Sequence, residues 1–428
     1  MRVIADLHIH SRFSRATSQK MNIDEITRFA RIKGLNLMGT GDFTHPKWLA
    51  ELEEKLVEIP GTNLYAYSKD PNSPVRYMIT NEVSTIFTFE NEVKKIHHVI
   101  LTPSLETAVQ INEGLAQYGN LAVDGRPTLD MSAPQLVEEV MEVSKDNVVI
   151  PAHAWTPWFS LFGAFSGFSR VEDCYQDMTK HIFALETGLS SDPLMNWRFS
   201  ALDKYALVSN SDSHSCWPWR IGREANVFEL EETTYTTVVN AIRNKDKQRF
   251  KSTIETIPAY GKYHWTGHRN CNISLPPQEA IKFGNRCPVC RRRLTKGVEQ
   301  RVEELADRPM GFKPEGAVDY VHLLPLSEII ATVLGASSPS TAKVWADYNR
   351  LVKEFDNEYN VLVGVPEEKL IKVVDSRIAE AIIRVREGKV KVEPGYDGVY
   401  GRLMIFEETR AEENPVERIG QHSLVDFM

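Results

Sequence analysis

Several features are missing from this 428-residue sequence, and each absence narrows the field. No apolar run approaches the ~20 residues that a membrane-spanning helix needs. Cysteine is scarce: five residues in the whole chain, too few for a disulfide framework at this length. No internal repeat stands out, which excludes a solenoid or propeller. Positive charge is not in surplus either. With 50 Lys and Arg against 58 Asp and Glu the net charge is −8, which argues against holding nucleic acid by bulk charge. Met1-Arg2 leads straight into an apolar run rather than a signal peptide, so a cytoplasmic enzyme is expected. What remains is a soluble globular composition, 42% hydrophobic and 25% charged, long enough for two or three domains.

The opening, Arg2 to His10 (RVIADLHIH), organises the rest. Val3, Ile4 and Ala5 read as a buried strand, and His8 and His10 are one residue apart at its exit. Alternate residues of a strand share a face, so both imidazoles can project together, and neutral imidazole is a common metal ligand. Two chance histidines would explain this pair alone, but the pattern recurs. Asp42 follows Leu37-Met38-Gly39, Glu82 follows Tyr77-Met78-Ile79, and His153 follows Val148-Val149-Ile150. Glu186 follows Ile182-Phe183-Ala184-Leu185, and Asp212-Ser213-His214 follows Tyr205-Ala206-Leu207-Val208. His97-His98 open or interrupt the strand-like IHHVILTP. Strand, loop and helix alternate to about residue 250, which predicts a parallel α/β barrel with these side chains on one rim. Asn22 and Gly34 frame the first helix.

The order HxH, Asp, Glu, His, His, Glu and DxH resembles the PHP (polymerase and histidinol phosphatase) metallohydrolases. With the later cysteine cluster and the run Ala184-Leu-Glu-Thr-Gly-Leu-Ser-Ser-Asp-Pro it is similar to the endonuclease Q branch of that family. The resemblance implies a distorted (β/α)7 barrel holding two or three metal ions over a phosphoester bond. Members of the wider family commonly have adjacent Asp-His in the second motif; here Asp42 is followed by Phe43, and whether His45 reaches a metal is left open. On this footing His8, His10, Glu82 and Asp212 are expected near one ion, Glu82 bridging to a second held by His97 and His153. Asp42 and His214 are expected at a third. Only one of His97 and His98 can face the rim, and His97 is preferred. Glu186 is a further ligand or base, and the expected catalytic set is Asp212, Glu82 and Glu186. Zinc suits the tighter positions, and Mg2+ or Mn2+ a more oxygen-rich one.

Beyond about residue 258 the pattern changes. His268-x2-Cys271 and Cys287-x2-Cys290 form two ligand pairs at zinc-site spacing, closed and therefore structural; His264 is an alternative to His268. Residues 261–302 hold nine Lys or Arg against two Glu. That basic island includes Arg291, Arg292 and Arg293 and is either a phosphate-backbone contact or an ordinary solvated surface. The loop Trp155–Gly167 (WTPWFSLFGAFSG) is apolar where loops are usually polar. Trp155, Trp158 and Phe159 either meet DNA bases or pack as a lid on their own barrel. Helices follow from Val298 onward, and after Glu407 the chain turns polar and acidic. The expected divisions are therefore a barrel at 1–258, a zinc-binding segment at 259–300, a helical accessory domain at 301–406, and a linker and tail at 407–428. In that tail Gln421, Leu424 and Phe427 resemble the peptide with which repair proteins plug into the sliding clamp.

Clustered histidines and carboxylates around divalent ions suit phosphoester hydrolysis, because metals acidify a water and neutralise phosphate charge. Resemblance to endonuclease Q implies cutting DNA on the 5′ side of uracil, hypoxanthine, xanthine or an abasic site, in the cytoplasm at the nucleoid. The competing reading is a small-molecule phosphoesterase, which would not need the long C-terminal extension.

Overall fold

Arg2–Asp6 forms the first strand, buried from Val3 onward. In the computed structural model, which describes residues 1–406, it runs through an eleven-stranded sheet. Leu37–Gly39 pairs parallel on one side, followed by Arg76–Phe89, also parallel. Ala225–Glu229 pairs antiparallel on the other side, and Phe250–Glu255 pairs antiparallel beyond it. Strands covered on both faces need apolar residues in both registers. Val3, Ala5 and Leu7 accordingly fall in one apolar cluster and Ile4 and Ile9 in another.

The expectation of a parallel strand–helix repeat is corrected at several places: besides the two antiparallel pairings above, Leu64–Tyr67 pairs antiparallel with both Leu56–Ile59 and Arg76–Phe89, and a long hairpin adds another. Arg76–Phe89 turns directly into Glu92–Thr102, antiparallel, which in turn pairs antiparallel with Val148–Pro151. Glu90 and Asn91, the two linking residues, both have positive φ, +48° and +65°, the backbone of a two-residue hairpin turn. A parallel crossover needs a dozen or more residues, and only two are available here. The result is a mixed α/β fold around a central sheet.

Ala184–Glu186 and Ala206–Val208 form a separate parallel pair. Individual hydrogen bonds, rather than a ladder, link it to the large sheet: Ala154 N to Glu186 O and His10 N to Ser213 O, both 2.9 Å, and Leu7 N to Asn210 Oδ1, 2.9 Å. Asn226 Nδ2 donates to Ser209 O (2.7 Å) and Asn210 Oδ1 (2.9 Å). Side-chain amides thus satisfy backbone groups that a ladder would otherwise pair.

The first helix, Ile23–Lys33, begins where Asn22 Oδ1 accepts from Glu25 N and ends at Gly34, with φ +95°. Its buried face includes Ile26, Phe29 and, unusually, Lys33. After Pro258 come a small hairpin, Thr266–His268 with Ile273–Leu275, and the helix Val298–Leu305. The helices Leu326–Leu334, Ala342–Phe355 and Ser376–Arg386 gather round an apolar cluster of their own, with Ile330, Tyr348, Leu351 and Ile382 in it. Among the described residues no helix is long and apolar enough to cross a membrane. The clamp-like residues Gln421, Leu424 and Phe427 lie outside the described residues.

Candidate metal centre

The strand ends converge on one cluster of imidazoles and carboxylates. His8 and His10 leave the first strand on the same side, both buried. Asp42, His153 and Asp212 all have positive φ, +52°, +30° and +46°. Such a backbone is uncommon outside glycine, and here it recurs at three strand exits that each carry a potential ligand. Glu82 and His97 reach the cluster differently: both sit inside the long hairpin, Glu82 opposite Val99 and His97 opposite Ser84. The expectation that Glu82 stands at a strand exit is corrected accordingly, since the strand runs on past it to Phe89.

Glu82 is the hub. Its Oε2 lies 3.1 Å from His10 Nε2 and 3.5 Å from His8 Nε2, and its Oε1 lies 2.8 Å from His97 Nδ1 and 3.0 Å from His153 Nε2. Asp212 Oδ1 faces His10 Nε2 at 3.0 Å and His8 Nε2 at 3.7 Å. Two groups capable of holding a metal follow, His8, His10, Glu82 and Asp212 on one side and Glu82, His97 and His153 on the other. The donor set fits cations. His8 Nε2 is buried without a hydrogen-bond partner, and His97 Nδ1 and His153 Nε2 are 3.2 Å apart, both directed at one carboxylate oxygen. Nitrogen and oxygen donors in this mixture suit a divalent metal ion. Burial pushes the Glu82 carboxyl up, but His97, Arg126 and His8 outweigh it and hold the group well below the usual carboxylate range. Burial likewise opposes ionisation of Asp212, and His10, His214 and His8 overcome it.

A second layer orients these ligands, as metal-binding imidazoles require. Glu186 was expected to be a ligand or base. It lies behind His8, with both carboxylate oxygens 3.0 Å from His8 Nδ1, and also accepts from His153 N (2.8 Å) and Asn210 Nδ2 (2.8 Å). Asp42 likewise holds His10 Nδ1 at 3.0 Å and accepts from Ser11 and Ser14. Neither it nor His214 belongs to a group of three ligands among the described residues, so the expected third ion has no visible cage. His98 turns away, its ring nitrogens taken by Thr85 Oγ1 (2.9 Å) and Tyr175 Oη (2.8 Å). His45 stacks on Phe13 at 4.6 Å and joins no ligand group.

Sequence reading missed Arg126, whose Nη1 donates to Glu82 Oε2 at 3.1 Å. It sits in a polar loop with no motif to mark it. Arg126, Asp212 and His214 are 26%, 25% and 31% exposed at the side chain, whereas His8, His10 and Glu82 are sealed. The centre therefore opens to solvent on the side of those three.

The zinc-site spacing brings His268, Cys271, Cys287 and Cys290 together, with Cys290 Sγ 3.5 Å from His268 Nδ1. Burial pushes the Cys287 thiol up, but the backbone N–H groups of Cys290 and Val289 and the His268 side chain bring it down to about 6. Arg291, Arg292 and Arg293 are exposed beside it. The aromatic loop is divided. Trp155 was expected to meet DNA; it is fully buried against Phe162 and donates to Asn196 Oδ1 at 2.7 Å, so its face is not available. Trp158 is 41% exposed, stacked on Phe165 at 5.1 Å with Arg293 over that ring at 5.5 Å. Phe159, at φ +57°, lays its ring 5.0 Å from that of His97.

Known proteins resemble this chain in sequence and in fold. Residues 325–389 match the MJ0043 C-terminal domain family. The protein YqxK of Bacillus subtilis, itself uncharacterised, is 28% identical over 419 residues, 94% of this chain and 99% of that one. Among solved structures, the lesion-specific endonuclease PfuEndoQ of Pyrococcus furiosus is 35% identical with a TM-score of 0.84, covering 95% of this chain and 96% of that one. Endonuclease Q in complex with a 27-mer duplex bearing an abasic lesion at its active site is 34% identical with a TM-score of 0.84, covering 95% and 98%. Identity at that level, spread over almost the whole of both chains, means that this protein belongs to the endonuclease Q family of enzymes.

Proposed function

We propose that this chain is a metal-dependent DNA repair endonuclease that hydrolyses a phosphodiester on the 5′ side of a damaged nucleotide. The observation that carries the reading is the pair of ligand groups sharing Glu82 at an opening, in a chain similar over 95% of its length to a lesion-specific endonuclease. Ions bound there, zinc with Mn2+ or Mg2+ as alternatives, would supply the charge that acidifies a water and neutralises a phosphate.

The protein's own residues do the rest. His8, His10, Glu82 and Asp212 hold one ion, and Glu82, His97 and His153 a second. Glu186 and Asp42 fix the rings of His8 and His10. Arg126 is bonded to Glu82 through one Nη, which leaves N–H donors for a phosphate oxygen at the mouth. Trp158, Phe165 and Arg293 form an exposed stack suited to an unpaired base. The basic face of the zinc segment, Arg291 to Arg293, suits the backbone. Taking the damaged nucleotide out of the duplex costs a few kcal/mol, least where pairing is already lost, which favours uracil, hypoxanthine, xanthine and abasic sites. The barrel closes round the rim in the PHP manner, and the divisions near residues 258 and 300 separate barrel, zinc segment and helices. The tail at Gln421, Leu424 and Phe427 docks on a sliding clamp, and the enzyme works in the cytoplasm at the nucleoid.

The test is incubation of labelled duplexes carrying uracil, hypoxanthine, an abasic site or no lesion, with and without Mn2+ or Mg2+. Metal-dependent nicking of the damaged duplexes is expected. Hydrolysis of small phosphate esters with no cut in any duplex would favour a small-molecule phosphoesterase instead.

A further inference from the structure

Asp212 and His214 lie on the segment 209–223, which has no helix or strand beyond one isolated bridge between Ser213 and Ile9. Without a ladder, its shape depends on what its backbone groups bond to. Asp212 moreover has φ +46°, a conformation that relaxes unless neighbours hold it. On the sheet side, Ser211 N donates to Asp6 Oδ1 (3.0 Å), and Ser211 O accepts from Arg223 Nε (3.2 Å) and Nη2 (3.0 Å). His10 N and Ser18 N donate to Ser213 O and His214 O, both at 2.9 Å.

The first helix and the C-terminal helices together supply the other wall. Buried Lys33 donates to Pro218 O at 2.8 Å and is itself held by buried Glu358 Oε1 at 2.8 Å. The next residue, Tyr359, donates its hydroxyl to Gly222 O. Gly222 N in turn donates to Asp6 Oδ2 at 2.8 Å, the carboxylate whose other oxygen holds Ser211. Trp345 packs on both Trp217 and Trp219 at 5.7 Å. The fit at Gly222 is close: at φ +59°, an added Cβ would stand 2.9 Å from the Tyr359 hydroxyl oxygen.

We propose that Glu358 and Tyr359 are positioning residues for Asp212, so that the C-terminal helices set metal affinity and turnover by bracing the loop that presents this carboxylate. The role rests on reading the rim as a metal centre. It gives the C-terminal helices a task at the reaction centre, whether or not they also touch nucleic acid.

Tyr359→Phe removes only the hydroxyl. In the full-length protein, with zinc retained at the cysteine site, Mn2+ binding is measured by calorimetry without DNA. Turnover and KM are measured on an abasic duplex, and duplex affinity in chelator. Mn2+ affinity and kcat are expected to fall about 10-fold, the low end for groups that orient metal ligands, with KM and duplex affinity unchanged. Glu358→Gln should act in the same direction. Measurements are made where circular dichroism shows both variants folded, so a lowered melting temperature alone does not mimic the effect. Wild-type Mn2+ affinity in Tyr359→Phe overturns the positioning role, whatever the nicking rates. Because that arm needs no substrate, a wild-type protein that binds Mn2+ but cuts no damaged duplex would remove the endonuclease reading and leave this test intact.

Discussion

Glu82 and Glu186 were both read from sequence as catalytic carboxylates, and the structure gives them different contacts. Glu82 offers one oxygen to each ligand group, while Glu186 spends both of its oxygens on His8 and on neighbouring amides. Asp212→Asn should therefore abolish nicking while the melting temperature stays near wild type, because the change removes a ligand charge and opens no cavity. Glu186→Gln should retain activity but lower it about 10–100-fold, the usual cost of losing a partner that orients a metal ligand. Gel assays of both variants under single-turnover conditions check this order; a dead Glu186→Gln with an active Asp212→Asn would reverse the assignment. Glu224 offers a separate residue-scale test. Burial first, and the Glu186 charge, push its carboxyl up to about 8, against bonds from Thr256 and the charge of Arg223, and its Oε2 has no partner. The folded pKa lies above the unfolded value, so this group costs nothing in acid and destabilises progressively as pH climbs from its ordinary 4.5 towards 8. Thermal melts across that window should show Glu224→Gln gaining on the wild type as pH rises; a constant difference would contradict the buried acid.

At the scale of elements, the aromatic loop divides a prediction that the sequence could not divide. Composition marks Trp155 and Trp158 alike, yet one is sealed and the other stacks in the open. Trp155→Ala should cost about 3–5 kcal/mol of stability. Trp158→Ala should leave stability within about 0.5 kcal/mol but weaken binding of a damaged duplex by about 1–3 kcal/mol if a base stacks there. Calorimetric melting and duplex titration of the two variants separate packing from recognition. The His268, Cys271, Cys287 and Cys290 cluster was more legible, because doublets at fixed spacing mark residues that can meet, and these four do. Cys287→Ser with Cys290→Ser should lose one zinc per chain by metal analysis and weaken duplex binding more than hydrolysis of a generic phosphoester. Unchanged metal content would remove the site.

Across the whole molecule, the helices near the C-terminus are locked to the first helix through a charge pair. Lys33 and Glu358 are both sealed from solvent, and Leu326 N and Tyr348 Oη share the carboxylate. Such a pair adds little net stability, but stranding one partner is expensive. Lys33→Met should accordingly cost about 3–5 kcal/mol in denaturant unfolding, far more than an exposed ion pair such as Arg28–Glu25, whose loss should cost at most about 0.5 kcal/mol. Equal effects from the two would mean that the docking is soft. Lys33 was invisible to sequence reading: on an amphipathic helix ended by Gly34, a terminal lysine looks like ordinary dipole compensation.

What the sequence determined by itself was whatever depends on local spacing. The HxH at a strand exit, the helix caps at Asn22 and Gly34 and the paired His and Cys doublets after residue 258 all follow from spacings of two to four residues. The polarity of the strands was less accessible, because a two-residue turn at Glu90-Asn91 carries no glycine to announce it. Only the tertiary structure decided which oxygen of which carboxylate faces which imidazole. It brought Arg126 to the mouth, turned His98 away from the rim and buried Trp155. It also set Glu358 and Tyr359 against the loop of Asp212. Those contacts join residues tens to hundreds of positions apart, and their energies exist only once the intervening chain has folded.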